Sequence, residues 1–172
     1  YTASIDPCLL SGKFLVLHRI LSSIRKHTQD RVIIVSNFTS TLNLLQRYCV
    51  RQKFPFLRLD GRTKADVRSK MVNEFNSDSG SDHLGKQPFV FLLSSKSGGV
   101  GLNLIGANRL ILFDSDWNPA TDRQAMARIH RDGQLKPCFI YRLLLVGSMD
   151  EKIYQRQITK IGLSDSLMSN EA

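Results

Sequence analysis

The segment QAMARIHRDGQ, residues 124–134, carries two arginines at a spacing that could serve phosphate chemistry. Gln124, Arg128 and Arg131 stand at positions i, i+4 and i+7. On an α-helix this spacing places the three side chains on one stripe, with the guanidinium groups about one turn apart. Planar arginines with several donors suit the charge that spreads over phosphoryl oxygens during phosphoryl transfer. The same spacing also fits a solvated basic helix face, so the pattern alone leaves both interpretations open.

A polar segment with several glycines follows the apolar run FVFLL, residues 89–93. Hydroxyls, a lysine and glycines after a strand can present donors to an anion at the carboxyl edge of a sheet. The glycine pattern is not a complete GxGxxG motif, so a tight turn without a ligand is the alternative. The candidate residues of this segment are Ser94, Ser95, Lys96, Gly98, Gly99 and Gly101.

Two further polar segments follow apolar runs, and both are candidates for contact with phosphates. Ligands of open α/β sheets collect where the strands end at the carboxyl edge. Hydroxyl, amide and basic side chains, without exposed aromatic residues among them, favour phosphate contact over base reading or stacking. One segment contains Ser36, Asn37 and Thr39, and the other contains Arg58, Asp60, Gly61, Arg62, Thr63 and Lys64.

The sequence contains no phosphate loop of the GxxxxGK[ST] type. Ser11, Gly12 and Lys13 resemble its end, but no glycine stands five residues before Gly12 and no apolar strand precedes it. No apolar strand ends in an acidic pair that could hold magnesium. Three scattered cysteines and four histidines lack metal-ligand spacing, so no metal site is expected. The chain alone is therefore expected to lack a complete ATPase site.

Composition indicates one globular domain with a strongly basic half. The chain has 172 residues, of which 42% are hydrophobic, and a formal net charge of +9. Residues 1–76 hold 13 Lys and Arg against 5 Asp and Glu, whereas residues 77–172 hold 11 against 10. This asymmetry favours a polyanion as partner. The apolar runs are too short to span a membrane, no secretory signal is recognisable, and the cysteine pattern indicates a reducing compartment.

Five short apolar runs alternate with helical patterns along the chain. This alternation predicts an α/β fold with a doubly wound parallel sheet and helices on both faces. One domain over residues 12–161 is expected, with tails at 1–11 and 162–172 and a mobile polar loop at 76–88. The predicted strands are Val32–Ser36, Phe56–Leu59, Phe89–Leu93, Leu110–Phe113 and Cys138–Leu144.

Two helix starts are readable from their capping residues. Asn118 followed by Pro119 predicts an N-cap and a first helical residue, for a helix that continues to about Ile129. Ser148 and Glu151 form a capping-box pattern at the start of a last helix. That helix is expected to bury Met149, Ile153 and Ile158.

Together these segments form a recognisable ordered series. It resembles the second RecA-like lobe of the SWI/SNF-type ATPases of helicase superfamily two, over about residues 11–157. Within that family, DWNPATD, RDGQ and IYRLL…EKIYQRQ are most similar to the recombination-repair branch, whose members assist the RecA-type strand-exchange recombinase on DNA. The series is VIIVSNF (32–38), RLDGRT (58–63), LLSSKSGGVGLNL (92–104), ANRLILFDSDWNP (107–119) and QAMARIHRDGQ (124–134).

The resemblance implies a nucleotide site shared between two lobes. ATP and Mg²⁺ would be held mainly by the first lobe, which this chain lacks. Arg128 and Arg131 would be the arginine fingers, and many relatives have glycine at the position of Ala127 and isoleucine at that of Asp132. The residues that would line the ATP cleft are Gln124, Gly99 and Gly101.

The resemblance also implies a DNA surface and an element that couples it to the nucleotide site. Asp116 and Trp117 would form that coupling element, although capping of the next helix and a core position for Trp117 would also explain this segment. The implied DNA contacts are Ser36, Asn37, Thr39, Arg58, Arg62, Lys64, Ser94, Ser95, Lys96 and Gly98.

The sequence therefore predicts the C-terminal motor lobe of an ATP-dependent translocase on double-stranded DNA. The implied setting is homologous recombination and DNA repair in the nucleus, with the first lobe, duplex DNA and a RecA-type recombinase as partners. A non-enzymatic, basic nucleic-acid-binding or partner-docking module is the alternative. It explains the charge and the missing phosphate loop, but not why the glutamine and both arginines would share one helical face.

Overall fold

The computed structural model describes residues 11–77, 87–98 and 101–169, in which five strands alternate with helices. The helices are α1 (Gly12–His27), α2 (Thr39–Arg51), α3 (Ala65–Asn76), α4 (Pro119–Met126) and α5 (Met149–Ser169), with a 3₁₀ helix at Ser95–Gly98. The strands are β1 (Val32–Ser36), β2 (Phe56–Leu59), β3 (Val90–Ser94), β4 (Arg109–Leu112) and β5 (Phe139–Arg142). All five predicted strands are confirmed, with shifts of one or two residues at some ends.

The strands form one parallel sheet in the order β2-β3-β1-β4-β5. Val32 at the start of β1 pairs with Val90 of β3 on one side and Arg109 of β4 on the other. All neighbouring strands run parallel, so their carboxyl ends lie along one edge of the sheet. The predicted α/β fold with a parallel sheet is confirmed, and every polar segment that follows a strand lies at this edge.

The sheet separates two hydrophobic cores. Val32 and Ile34 of β1 pack in the core that contains α1 and α2, whereas Ile33 and Val35 pack in the core that contains residues of α3 and α4. This alternation follows from the two-residue period of a strand. Because both faces of the central strands are covered, these strands are apolar up to the serine that ends each of them.

Helix α4 ends at Met126 and not at Ile129 as predicted. After it the backbone tightens, because Arg128 N donates to Ala125 O at 3.2 Å and Ile129 N donates to Met126 O at 3.4 Å. The carbonyl of Arg128 then accepts a hydrogen bond from Leu104 N at 3.1 Å. Because i→i+3 bonds replace the i→i+4 bonds of an α-helix here, the segment after Met126 is a tight turn that is tied to Leu104.

Helix α5 departs from its predicted packing. Ile153 is buried as expected, but Met149 and Ile158 are 58% and 53% exposed, and Gln157 is only 1% exposed. Ile153 and Gln157 lie at i and i+4, so the buried stripe of α5 is narrow and includes a polar residue. The predicted capping residues are used, with Ser148 Oγ accepting from Asp150 N at 3.1 Å and Glu151 Oε2 accepting from Gly147 N at 2.7 Å.

The predicted tails and loop fall partly outside the described residues. Residues 1–10 of the N-terminal segment, 78–86 of the loop and 170–172 of the C-terminal segment are not described. Helix α5 extends to Ser169, so most of the segment 162–172 is helical and not an irregular tail. Within the described ranges, no helix has both the length and the apolar character needed to cross a membrane.

Two adjacent leucines of α2 provide a test of this packing. Leu45 is fully buried whereas Leu44 is 42% exposed. We expect Leu45→Ala to lower the free energy of unfolding by about 2–5 kcal/mol, because it leaves a cavity in the core. Leu44→Ala should change it by less than about 0.5 kcal/mol. Urea unfolding of both variants checks the assignment, and equal effects would contradict it.

Candidate nucleotide and nucleic-acid surfaces

Two of the segments that the sequence predicted as DNA contacts, those after β1 and β3, meet the segment after β4 at the carboxyl edge of the sheet. Ser95 Oγ donates to Asn37 Oδ1, and Asn37 Nδ2 donates to the carbonyl oxygen of Asp114 at 3.4 Å. Ser36 Oγ donates to the Asp114 carboxylate. The ends of β1, β3 and β4 are therefore joined by one hydrogen-bonded network, in which the amide of Asn37 occupies the central place.

Two of the predicted contact residues are supports and not surface groups. Ser36 is fully buried and Ser94 is 4% exposed. A buried hydroxyl cannot reach a ligand outside the fold, so a direct DNA contact through either side chain is excluded. Ser36 Oγ instead accepts from Phe38 N at 3.2 Å, and Ser94 O accepts from Ser97 Oγ at 2.7 Å. Both residues shape the loops that carry their exposed neighbours.

Asp114 is a partly buried carboxyl group that the sequence analysis missed. Burial raises its pKa, while the hydrogen bonds from Ser36 and Thr41 and the charge of Lys13 oppose that shift. Lys13 also donates to Phe113 O at 2.9 Å and forms an ion pair with Asp150 at 2.6 Å. The sequence does show an acidic residue directly after a buried strand. Its partners come from distant segments, however, so the sequence alone did not indicate its environment.

The segment after β2 places two basic side chains outward. Asp60 shapes the turn, since its Oδ1 accepts from Arg62 N at 3.0 Å and its backbone N donates to Thr63 Oγ1 at 3.2 Å. Arg62 and Lys64 are exposed. Arg58 differs, because it is paired with Asp60 at 3.0 Å. A phosphate contact by Arg58 would therefore compete with an existing ion pair.

The side chain of Arg58 is also held by two amide oxygens of α2. Its NH1 group donates to Asn43 Oδ1 at 2.7 Å and to Gln46 Oε1 at 2.6 Å. These bonds use the same guanidinium group as the Asp60 pair. Arg58 is thus better described as a support of the turn that carries Arg62 and Lys64.

The 3₁₀ helix after β3 presents Lys96 to solvent and keeps Ser97 inside. Ser97 is 6% exposed, and its hydroxyl contacts Leu59 O at 3.4 Å, which ties this helix to the end of β2. Lys96 is exposed and Ser95 is partly exposed. Gly98 ends the 3₁₀ helix, while Gly99 lies outside the described residues.

The two predicted arginine fingers are close in space but do not share a helical stripe. Gln124 lies on α4 and is exposed, whereas Arg128 lies beyond the end of α4 and is 7% exposed. The prediction of one stripe is wrong, because the backbone leaves the helix at Met126 and turns Arg128 inward. Burial lowers the pKa of Arg128, and the nearby positive charge of Arg131 lowers it further.

Gly101 lies directly beneath Arg131. Arg131 NH1 donates to Gly101 O at 2.8 Å, and a Cβ at Gly101 would stand 3.1 Å from Arg131 NH2. A larger residue would have to displace the guanidinium group, so glycine permits this close approach. Arg131 also lines an open cleft with Asn103 and Asp132. Of the residues predicted for the nucleotide cleft, Arg131 and Gly101 are therefore in contact, whereas Gln124 has no described contact with them.

The Asp116–Trp117 turn is exposed at its aromatic residue. Trp117 is 49% exposed, so a core position is excluded, and the Arg156 guanidinium lies 5.4 Å from the centre of its ring. Phe38, at the neighbouring strand end, is 59% exposed. The expectation that this edge lacks exposed aromatic residues is therefore wrong. The predicted N-cap is confirmed, because Asn118 Oδ1 accepts from Ala120 N at 3.1 Å.

No metal site is evident among the residues described. They contain no group of three or more His, Cys, Asp or Glu side chains that could hold a metal ion. The chemistry that the described part of the chain offers is that of positive charge, amide and hydroxyl groups, which is suited to phosphate oxygens.

Comparison with known proteins agrees with this geometry. The chain is 52% identical over 163 residues to "DNA repair and recombination protein RAD54" of Oryza sativa subsp. japonica, which is 95% of this chain and 16% of that protein. It is 53% identical over 162 residues to "DNA repair and recombination protein RAD54-like" of Homo sapiens, 94% of this chain and 21% of that protein. The chain thus spans about a fifth or less of the length of these relatives.

A solved structure and a family model complete the comparison. The structure of the C-terminal part of the Fun30 ATPase domain superposes with a TM-score of 0.80 at 39% identity, over 88% of this chain and 46% of that one. These findings confirm the resemblance inferred from the motif series. The model of the helicase conserved C-terminal domain matches residues 12–133. Because this match covers more than half of the sequence, the chain belongs to the helicase conserved C-terminal domain family.

Proposed function

We propose that the chain is the C-terminal motor lobe of an ATP-driven translocase on double-stranded DNA that acts in homologous recombination and DNA repair. The observation that carries the proposal is the closeness of Arg128 and Arg131, one buried and the other exposed against the backbone of Gly101. The names of the relatives, which refer to DNA repair and recombination, support the setting.

Arg128 and Arg131 would act on the phosphates of ATP held by a first lobe. Two guanidinium groups close together raise each other's free energy, and an anion between them relieves that repulsion. The charge of a transferring phosphoryl group is such an anion. Gln124 and the backbone of Gly99 and Gly101 would complete the cleft, and Mg²⁺ would be held mainly by the first lobe.

The exposed residues of the carboxyl edge would contact the DNA backbone. Arg62, Lys64 and Lys96 supply positive charge, while Asn37 and Thr39 supply amide and hydroxyl groups. Such contacts neutralise phosphates and carry no base specificity. The buried serines at the ends of β1 and β3 would position these groups. Asp116 and Trp117 would link this surface to the nucleotide cleft.

Cycles of cleft opening and closing would move the two lobes along one DNA strand and remodel proteins on the duplex. A RecA-type recombinase as partner and the nucleus as location belong to the same proposal. The alternative, a non-enzymatic binding module, gives no reason for two arginines with mutually repelling charges to lie this close together. Their closeness therefore favours the motor lobe.

The isolated chain should hydrolyse ATP no faster than background, with or without DNA. The reason is that no phosphate loop is present in its sequence and no metal-binding cluster among its described residues. Phosphate release with duplex DNA in excess measures this directly. Robust DNA-stimulated turnover would mean that the division of the site between two lobes is wrong.

In the full-length protein, Arg128→Ala and Arg131→Ala should each lower ATP turnover by about 10³-fold or more, the worth of an arginine finger. DNA affinity should change little. Arg123→Ala removes an exposed arginine from α4 and is the matched control. Thermal melting separates a folding defect of the buried Arg128 from a catalytic one. Near-normal turnover in both folded variants would refute the assignment.

Binding to duplex DNA should weaken steeply with salt and depend little on sequence. The double variant Arg62→Glu with Lys64→Glu should bind more weakly and flatten the plot of log affinity against log salt, by about 0.9 for each phosphate that is no longer neutralised. The control Arg19→Glu with Lys26→Glu makes the same charge change on the exposed surface of α1. Equal slopes for both double variants would place the DNA surface elsewhere.

A further inference from the structure

A buried polar network connects α5 to the Asp116–Trp117 turn. Gln157 is 1% exposed, and all the hydrogen-bonding groups of its amide are used. Its Oε1 accepts from Arg142 NH1 at 2.7 Å, and its Nε2 donates to Asp122 Oδ2 at 2.9 Å and to the carbonyl oxygen of Asp116. One side chain of α5 therefore contacts β5, α4 and the turn after β4.

Asp122 of α4 also binds the Asp116–Trp117 turn, through the backbone N–H of Asp116. It is 3% exposed, and its Oδ1 accepts from Asp116 N at 3.2 Å. Its Oδ2, which accepts from Gln157, also lies 3.7 Å from Arg142 NH2. Both backbone polar groups of Asp116 are thus held by buried side chains, one from α4 and one from α5. The residue that precedes Trp117 is fixed at two points.

A buried polar network of this kind adds little to the free energy of unfolding. Burying an amide and a carboxylate costs free energy that their hydrogen bonds only offset, and an apolar residue would fill the same space more simply. What the network provides is one defined arrangement, because each donor has one acceptor in reach. Arg142 and Gln157 also lie beyond residues 12–133, the part matched by the family model.

We propose that Gln157 and Arg142 are positioning residues that couple the DNA surface to the arginine fingers. This inference rests on the proposed function. Asp122 belongs to α4, whose end leads into Arg128, and the same carboxylate fixes the turn that carries Trp117. The network therefore makes the turn, α4 and α5 move as one unit. Without it, a displacement of Trp117 by DNA would no longer reach the fingers.

The decisive quantity is the ratio of DNA-stimulated to unstimulated ATP turnover in the full-length protein. Gln157→Leu keeps the volume but removes every hydrogen bond, and we expect the ratio to fall about tenfold, within the usual range for coupling between two sites. Gln155→Leu is the control, since Gln155 is exposed on the same helix. DNA affinity and the melting temperature are measured alongside, and turnover is assayed well below melting.

A second set of variants tests the same inference if Gln157→Leu destabilises the fold. Asp122→Asn alone places two NH₂ groups against each other, and Gln157→Glu alone places two carboxylates against each other. Combined, they restore one donor and one acceptor between the two positions, although the carboxylate at position 157 then faces the Asp116 carbonyl oxygen, which loses its donor. We expect each single variant to reduce the coupling and the double variant to reduce it by less than the sum of the two reductions on a logarithmic scale.

The outcomes separate this inference from the proposal on which it depends. An unchanged ratio in folded Gln157→Leu, or strictly additive reductions in the double variant, would overturn the coupling role and leave the motor assignment intact. A wild-type protein without any DNA-stimulated turnover would instead overturn the proposed function. A lower melting temperature with an unchanged ratio would assign the network to stability alone.

Discussion

The whole arrangement depends on a parallel sheet that is covered on both faces. Val32 and Ile34 face one core while Ile33 and Val35 face the other, so no polar group of β1 can serve a ligand from within the strand. Side chains that bind a ligand can therefore lie only in the segments that follow the strands. Since all five strands run parallel, their following segments meet at one edge, and segments far apart in the sequence become hydrogen-bonded neighbours.

Burial divides the residues at that edge into two layers with different tasks. Ser36 and Ser94 are buried and Asp114 is partly buried. Ser36 donates to the Asp114 carboxylate, and the backbone carbonyl of Ser94 accepts from Ser97. Arg62 and Lys96 stand outside on the loops that the inner layer shapes. The inner residues fix the conformation of the loops, and the outer residues provide positive charge. A substitution inside would impair the proposed DNA binding by changing the loop conformation, whereas one outside would impair it by removing charge.

Local patterns predicted the fold well, whereas the site depended on contacts that no pattern contains. The apolar runs predicted every strand, and Asn118 with Pro119 predicted the start of α4, because these features are encoded within a few residues. The end of α4 was missed, because the tight turn after Met126 contacts Leu104 of a distant segment and leaves no pattern in the local sequence. The buried state of Gln157 was missed for the same reason, because its partners lie on three other elements.

The shortness of α4 bears on the proposed coupling between the turn that carries Trp117 and the segment that carries Arg128. The helix has 8 residues, and at 1.5 Å per residue it is about 12 Å long. Its start is held through Asp122, and the segment after it is held by the bond between Arg128 O and Leu104 N. A rod this short and fixed at both ends does not bend appreciably. In the proposed coupling, the turn that carries Trp117 and the segment that carries Arg128 would therefore shift together.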